Sequence, residues 1–296
     1  MQLFVGAALL AACSGNTRLP ASDLQAPLDS GASTSVASTL PSDTSTPGAV
    51  PDDSSPVEPD AIPAGCVEIA VPTGSTDVVG ERCDPDPLFD SPRPAALVLN
   101  GCGGYVADAA LGRDIATALT REGIVAIRID YLGAAPELDF CNLSPDVLSE
   151  AAQPILDAVA DTVAVIRLDP NISSIGAVGY SLGAVTAMSA VFGGAGLAPI
   201  EPVPFTAVAL LSYPNVLPEV TDSLAAGDGP PLFVMSGEDD DVTPPADSAA
   251  IVQAAVAGGV DVEQLLVPGQ GHLWSGTTAS LAATTLADEL ADRLPV

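Results

Sequence analysis

The sequence contains no lysine, and its eight arginines stand against 38 aspartates and glutamates, a formal charge of −30 over 296 residues. A surface of that sign repels phosphate backbones and anionic headgroups, so nucleic acid is excluded as a partner. Histidine occurs once, as His272, so any imidazole chemistry must run through that residue. The five cysteines form no paired C-x-x-C spacing, which argues against zinc, and neither a metal nor another cofactor is expected. No segment recurs with a period of about 20 to 50 residues, which excludes a solenoid. The opening apolar stretch, MQLFVGAALLAAC, is too short to span a bilayer as a mature helix and fits the apolar region of a secretory signal.

Within that stretch Leu10-Ala11-Ala12-Cys13 resembles the bacterial lipobox. The resemblance implies cleavage before Cys13, a lipid on its sulfur, and export to the cell envelope on a lipid anchor, with plain secretion as the alternative. Residues 14–64 are rich in Ser, Thr, Pro, Asp and Ala without apolar periodicity, the composition of a disordered linker. The domain organisation is therefore a signal over 1–13, a linker over 14–64 and one globular domain over 65–296. Nothing in the sequence sets the oligomeric state.

From Cys66 onward, short β-rich runs alternate with longer Ala-rich segments, the pattern of a mostly parallel sheet covered by helices. CVEIAV and DVVGERC read as an opening antiparallel pair. Strands are expected at 95–100, 124–130, 172–179, 205–212, 230–237 and 261–268, eight in all. Leu111, Ile115 and Leu119 recur at four-residue spacing in one helix, which Gly123 ends. Residues 277–294 read as a closing helix.

The chemistry centres on Gly179-Tyr180-Ser181-Leu182-Gly183, a G-x-S-x-G nucleophile elbow at a strand-to-helix turn. A serine hydroxyl is a poor nucleophile near neutrality and needs an imidazole base, itself oriented by a carboxylate. His272 follows the last expected strand and supplies the base. The acidic run Asp239-Asp240-Asp241 follows the preceding strand. Asp240, third after Gly237 and two before Val242, stands in a frame, G-x-x-D-x-x-[VT]-P, that resembles the one in which α/β hydrolases commonly carry the acid; the resemblance implies Asp240, while the other two read as a solvated turn. An oxyanion needs two backbone donors, and the amides of Leu182, after the nucleophile, and of Cys102, in the Gly-rich LNGCGGY loop, are the candidates. The order Ser181, Asp240, His272 differs from that of the chymotrypsin and subtilisin groups.

At NGCGG, GYSLG, GEDDDVTP and GQGH the chain resembles the dienelactone hydrolase family of α/β hydrolases, over about residues 66–296. The resemblance implies an α/β-hydrolase fold, with a mostly parallel eight-stranded sheet, helices on both faces and no large cap. Ser181 stands where many members carry cysteine, which points to a serine esterase acting on short or medium soluble esters through an acyl-enzyme. Similar landmarks occur in the bile-acid acyltransferase and acyl-CoA thioesterase group, which implies a thioester alternative. A lipoprotein that keeps the fold as a binding module without catalysis is the third reading.

The remaining cysteines, Cys66, Cys83, Cys102 and Cys141, are even in number in a chain expected to be exported, which favours disulfides. Of three connectivities, Cys66 with Cys83 closes the opening hairpin and Cys102 with Cys141 joins two loops at one sheet edge. Tyr105, Tyr131, Phe140, Tyr213 and Trp274 all lie in loops after expected strands and are candidates for an aromatic substrate pocket, with some of them expected in the core. Expression of the full chain in a bacterial host, with mass spectrometry of its amino-terminal peptide, is expected to find Cys13 lipidated and first; an unmodified Cys13 in a freely soluble product would refute the anchor.

Overall fold

A computed structural model describes residues 65–73, 77–136, 140–141, 145–215 and 217–295. The signal, Cys13 and the linker therefore lie outside the described residues. The strands are β1 (Cys66–Pro72), β2 (Asp77–Cys83), β3 (Arg93–Leu99), β4 (Val125–Ile129), β5 (Ile172–Tyr180), β6 (Val208–Leu211), β7 (Leu232–Gly237) and β8 (Val262–Val267). They form one sheet in the order β1-β2-β4-β3-β5-β6-β7-β8. The β1/β2 and β2/β4 pairs are antiparallel and all later pairs are parallel. All eight expected strands are present. The sixth is shorter than expected because Phe205 and Thr206 lie in the loop that leads into it.

The helices are α1 (Gly104–Ala107), α2 (Ala109–Arg121), α3 (Pro145–Ile166), α4 (Leu182–Val191), α5 (Pro218–Ala225), α6 (Pro245–Gly258) and α7 (Gly276–Arg293). Because strand side chains alternate, successive residues of the central strands enter two different cores. Ala95, Leu97, Leu99, Val208, Leu210, Leu232 and Val234 face α3 to α6. Ala96, Val98, Ala209, Leu211, Phe233 and Met235 face α2 and α7. Burial on both faces explains why these strands read as continuous apolar runs. The apolar stripe of α2 buries Leu111, Ile115 and Leu119, and Gly123, just past its end, adopts φ +79°. Among the described residues between β6 and β7 the one helix is the eight-residue α5. Among the described residues no helix is long and apolar enough to cross a membrane.

The hairpin that extends the sheet is closed by a disulfide between Cys66 and Cys83, which are directly opposite in register. A second disulfide joins Cys102 to Cys141. Between β2 and β4 lies a buried ion pair: Arg128 Nη1 donates to Glu81 Oε2 at 2.7 Å, and Arg113 of α2 reaches Glu81 Oε1 at 3.2 Å. Glu81 and Arg128 are only 4% and 3% exposed. Removing one member of such a pair leaves an uncompensated charge in low dielectric. Glu81→Gln is therefore expected to lower unfolding free energy by about 3 kcal/mol, read from the midpoint of urea unfolding.

Candidate active site

Ser181 stands between the last residue of β5 and the first of α4, and its φ of +52° is outside the range L-residues ordinarily adopt. Close approach on both sides forces the turn. A Cβ at Gly179 would lie 2.5 Å from Ala184 Cα, and one at Gly183 would overlap the Leu99 carbonyl oxygen and lie 2.5 Å from that of Asn100. The two glycines of G-x-S-x-G thus let α4 start directly against the ends of β5 and β3. The Ser181 N–H donates to Leu211 O of β6 at 2.9 Å, which ties the elbow to the sheet.

The same approach brings Gly183, next to Leu182, against the Leu99 and Asn100 carbonyls, where the loop leaves β3. Leu182 opens α4, where an N–H has no carbonyl partner within the helix, and the loop Gly101-Cys102-Gly103 follows Asn100. Tyr131 Oη donates to Asn100 O at 2.6 Å from beneath. The Cys102–Cys141 disulfide ties the loop to the segment after β4. Asn100 turns its Nδ2 onto Gly101 O at 2.9 Å, while its Oδ1 is buried without a hydrogen-bond partner.

At the end of β7 the three aspartates separate. Asp239 and Asp241 are exposed and Asp240 is 3% exposed. His272 Nδ1 lies 3.0 Å from Asp240 Oδ2 and 3.2 Å from Oδ1. A carboxylate in that position makes Nδ1 the protonated nitrogen and leaves Nε2 to act as base. Asp240 also accepts the Val242 and Thr243 N–H groups on Oδ1 at 3.0 and 2.8 Å, and the Thr243 hydroxyl on Oδ2 at 2.7 Å. Burial alone would raise its pKa, but the hydrogen bonds from His272 and Thr243 outweigh it and hold the carboxyl below its ordinary range.

His272 is brought toward the elbow by Tyr180, the residue before Ser181. Tyr180 Oη donates to His272 O at 3.1 Å, and the two rings lie 5.5 Å apart. Among the described residues no hydrogen bond joins the Ser181 hydroxyl to His272, a contact that is often long before substrate binds. Gln270 Nε2 braces the histidine loop through Gly271 O and Leu273 O, at 2.9 and 2.8 Å. Asp108 packs beneath the opposite loop, within 3.1 Å of where Cβ atoms on Gly101 and Gly103 would lie. Burial raises the Asp108 carboxyl pKa, against the lowering effects of the Gly101 backbone, His272 and Arg128.

Burial separates the five aromatic candidates. Tyr131 and Tyr213 expose no surface, and Phe140 and Trp274 are 5% and 6% exposed, so these four rings belong to the cores. Their place after strand ends suits core closure as well as it suits a pocket, which is why sequence position misleads. Tyr105 alone of the five is partly exposed; Arg128 sits 4.5 Å from its ring centre, and burial pushes its hydroxyl pKa up to about 12. The sequence reading assigned no role to Thr243, Tyr180, Gln270 or Asp108. For Thr243 a signal was present, since Asp-x-x-Thr is a turn in which a carboxylate accepts backbone N–H groups two and three residues on.

No protein-family model matches the chain, and a search of curated proteins finds no match. Solved structures do match. Est1E from Butyrivibrio proteoclasticus aligns with a TM-score of 0.57 at 12% identity, covering 76% of this chain and 98% of its own. A cold-adapted esterase from an Arctic intertidal metagenomic library gives 0.60 at 18%, covering 80% and 97%. A Klebsiella pneumoniae protein assigned as a dienelactone hydrolase gives 0.59 at 15%, covering 77% and 97%. The chain has the α/β-hydrolase fold. Its strand order, its antiparallel second strand and its elbow after the fifth strand are laid out accordingly.

The Asp240 carboxyl carries a sign that can be measured. Its folded pKa lies below the unfolded value of about 3.9, so the stability it contributes is complete above that pH and is lost as pH falls through the folded pKa. The gap in unfolding free energy between wild type and Asp240→Asn is therefore expected to be constant near neutrality and to narrow below about pH 4, in urea titrations across pH.

Proposed function

We propose that the protein is a serine hydrolase that cleaves carboxylic esters of short or medium soluble substrates through an acyl-enzyme at Ser181. The observation that carries this reading is the Asp240–His272 pair together with a positive-φ serine, all three after the carboxyl ends of parallel strands of one sheet, β5, β7 and β8. In the first half-reaction Ser181 Oγ attacks the ester carbonyl carbon and its proton passes to His272 Nε2. The oxyanion is received by the N–H groups of Leu182 and Cys102. When the C–O bond breaks, the alkoxide leaves with the proton from Nε2. Water then gives a proton to Nε2 and attacks the acyl carbon, and the acid departs as Ser181 takes its proton back. Asp240 stays ionised throughout and stabilises the imidazolium.

Esterases among the similar folds support ester substrates in kind and identify none. Two disulfides and the signal-like opening segment fit an extracytoplasmic site of action, held to the membrane through Cys13. The rival thioester reading asks a chain of charge −30 to receive acyl-CoA, itself polyanionic, against its own field.

Fluorophosphonate labelling is expected to modify Ser181 and to fail in Ser181→Ala. Ser181→Ala and His272→Ala are each expected to lower kcat on p-nitrophenyl esters about 10⁴-fold or more, with folding retained. Among Asn substitutions at Asp239, Asp240 and Asp241, the one at Asp240 is expected to be the most damaging. Turnover within tenfold of wild type in His272→Ala would end the triad assignment, and a preference for acyl thioesters would move the substrate class.

A further inference from the structure

Ser212 and Trp274 take no part in the chemistry above, yet they share a contact at its centre. Ser212 follows β6 and adopts φ +51°; with Ser181 it is one of two non-glycine residues with positive φ among those described. Such a conformation costs about 1–3 kcal/mol and persists where the surroundings demand it. Glycine would adopt it without strain. A serine kept there is kept for its side chain.

The Ser212 hydroxyl is fully buried and accepts the Trp274 Nε1–H at 3.1 Å. Its backbone N–H donates to Met235 O of β7 at 2.8 Å, and the residue before it, Leu211, receives the Ser181 N–H. Ser212 therefore touches the strand before the acid and adjoins the bond to the nucleophile. Through the indole it also holds the loop of the histidine, because Trp274 follows His272 by two residues. That loop needs holding: between β8 and α7 it contains Gly269 and Gly271 and ends on Gly276, with φ of +71° at Gly269 and +55° at Gly276. The indole ring is packed in the same core as Tyr180, Leu211 and Met235.

We infer that the Ser212 hydroxyl and the Trp274 indole are positioning residues, a buried anchor that fixes where His272 stands relative to Ser181. The inference rests on the proposed hydrolase reading and deepens it. Gln270 stiffens the loop internally and Tyr180, the last residue of β5, holds the His272 carbonyl; the Trp274–Ser212 bond ties the far side of the loop, two residues beyond His272, to the end of β6. Neither residue presents a polar atom to an ester, so losing the bond alters the approach of Nε2 to the serine and leaves ground-state binding intact.

The test compares Ser212→Gly, Trp274→Phe and the double variant in the full chain. Ser212→Gly removes the hydroxyl and relieves the backbone, so it separates the bond from the fold; Trp274→Phe keeps most of the ring and removes the N–H. Each is expected to lower kcat on a p-nitrophenyl ester about ten- to a hundredfold, with KM little changed, and the double variant is expected to be no worse than the poorer single one. The single histidine gives an unambiguous nuclear magnetic resonance signal, and the low-field Nδ1–H resonance of the Asp240-bound imidazole is expected to weaken in every variant. If kcat stays within twofold in folded Ser212→Gly, or the two losses multiply, the anchor is refuted. Should wild type hydrolyse no ester, the hydrolase reading falls separately, and the Nδ1–H signal decides the anchor: unchanged in Ser212→Gly, it refutes it.

Discussion

The contact on which the site depends is the approach of α4 to the ends of β3 and β5, closer than any side chain would allow. Gly179 and Gly183 make it, and between them the backbone of Ser181 has only the strained turn by which to pass from strand to helix. The strain holds because the sheet fixes the serine on one side, through Leu211, and the helix on the other, through the bonds from Ala184 and Val185 to Ser181 O. A residue so constrained presents its hydroxyl without reorganisation, which is what a nucleophile attacking a fixed carbonyl requires. The approach also sets the start of α4 against the carbonyls of Leu99 and Asn100, so in the proposed reading one packing event shapes both the nucleophile and the loop beside it.

Much of this was legible in the chain because parallel sheets write themselves plainly. Eight strands were found as apolar runs, and the antiparallel start was marked by cysteines at matched ends, Cys66 and Cys83. Asp240 is singled out by a resemblance to the α/β-hydrolase acid frame, and the bonds from Val242 and Thr243 show the physical content of that spacing. Boundaries were harder where the pattern is weak. Helix α3 contains Pro154, and α6 is apolar on too many sides to show one face, so neither was delimited from the sequence. Which rings are core was not legible for a different reason: all five candidates follow strands, and only the folded chain shows that Tyr131 and Tyr213 are fully buried. Sequence position gives the loop, and only packing gives the direction of the side chain.

The polar interior also escaped the sequence reading. Glu81, Arg113 and Arg128 are far apart in the chain and carry no motif, yet they form a buried ion cluster whose Arg128 also donates to Tyr105 O at 3.2 Å. The loop after β3 is thus supported by a cluster of one carboxylate and two guanidinium groups, by the Tyr131 hydroxyl on Asn100 O, and by a disulfide at Cys102. In the histidine loop the corresponding supports are Gln270, Tyr180 and Trp274. Each half of the site stands on side chains that meet only in the folded state.

The use of cations follows from their scarcity. Arg128 and Arg113 face Glu81, Arg82 joins Asp84 and Asp169, Arg293 joins Glu263 and Glu289, and Arg93 is turned onto the carbonyls of Pro85, Phe89 and Asp90. Most of the positive charge therefore works at joints between elements, and the field around the molecule is set by unpaired carboxylates. A neutral ester meets no barrier in that field, whereas an anionic substrate would be repelled at long range and less so as salt rises. On the proposed function this charge thus acts as a coarse filter on what reaches Ser181, before any contact in the site can select.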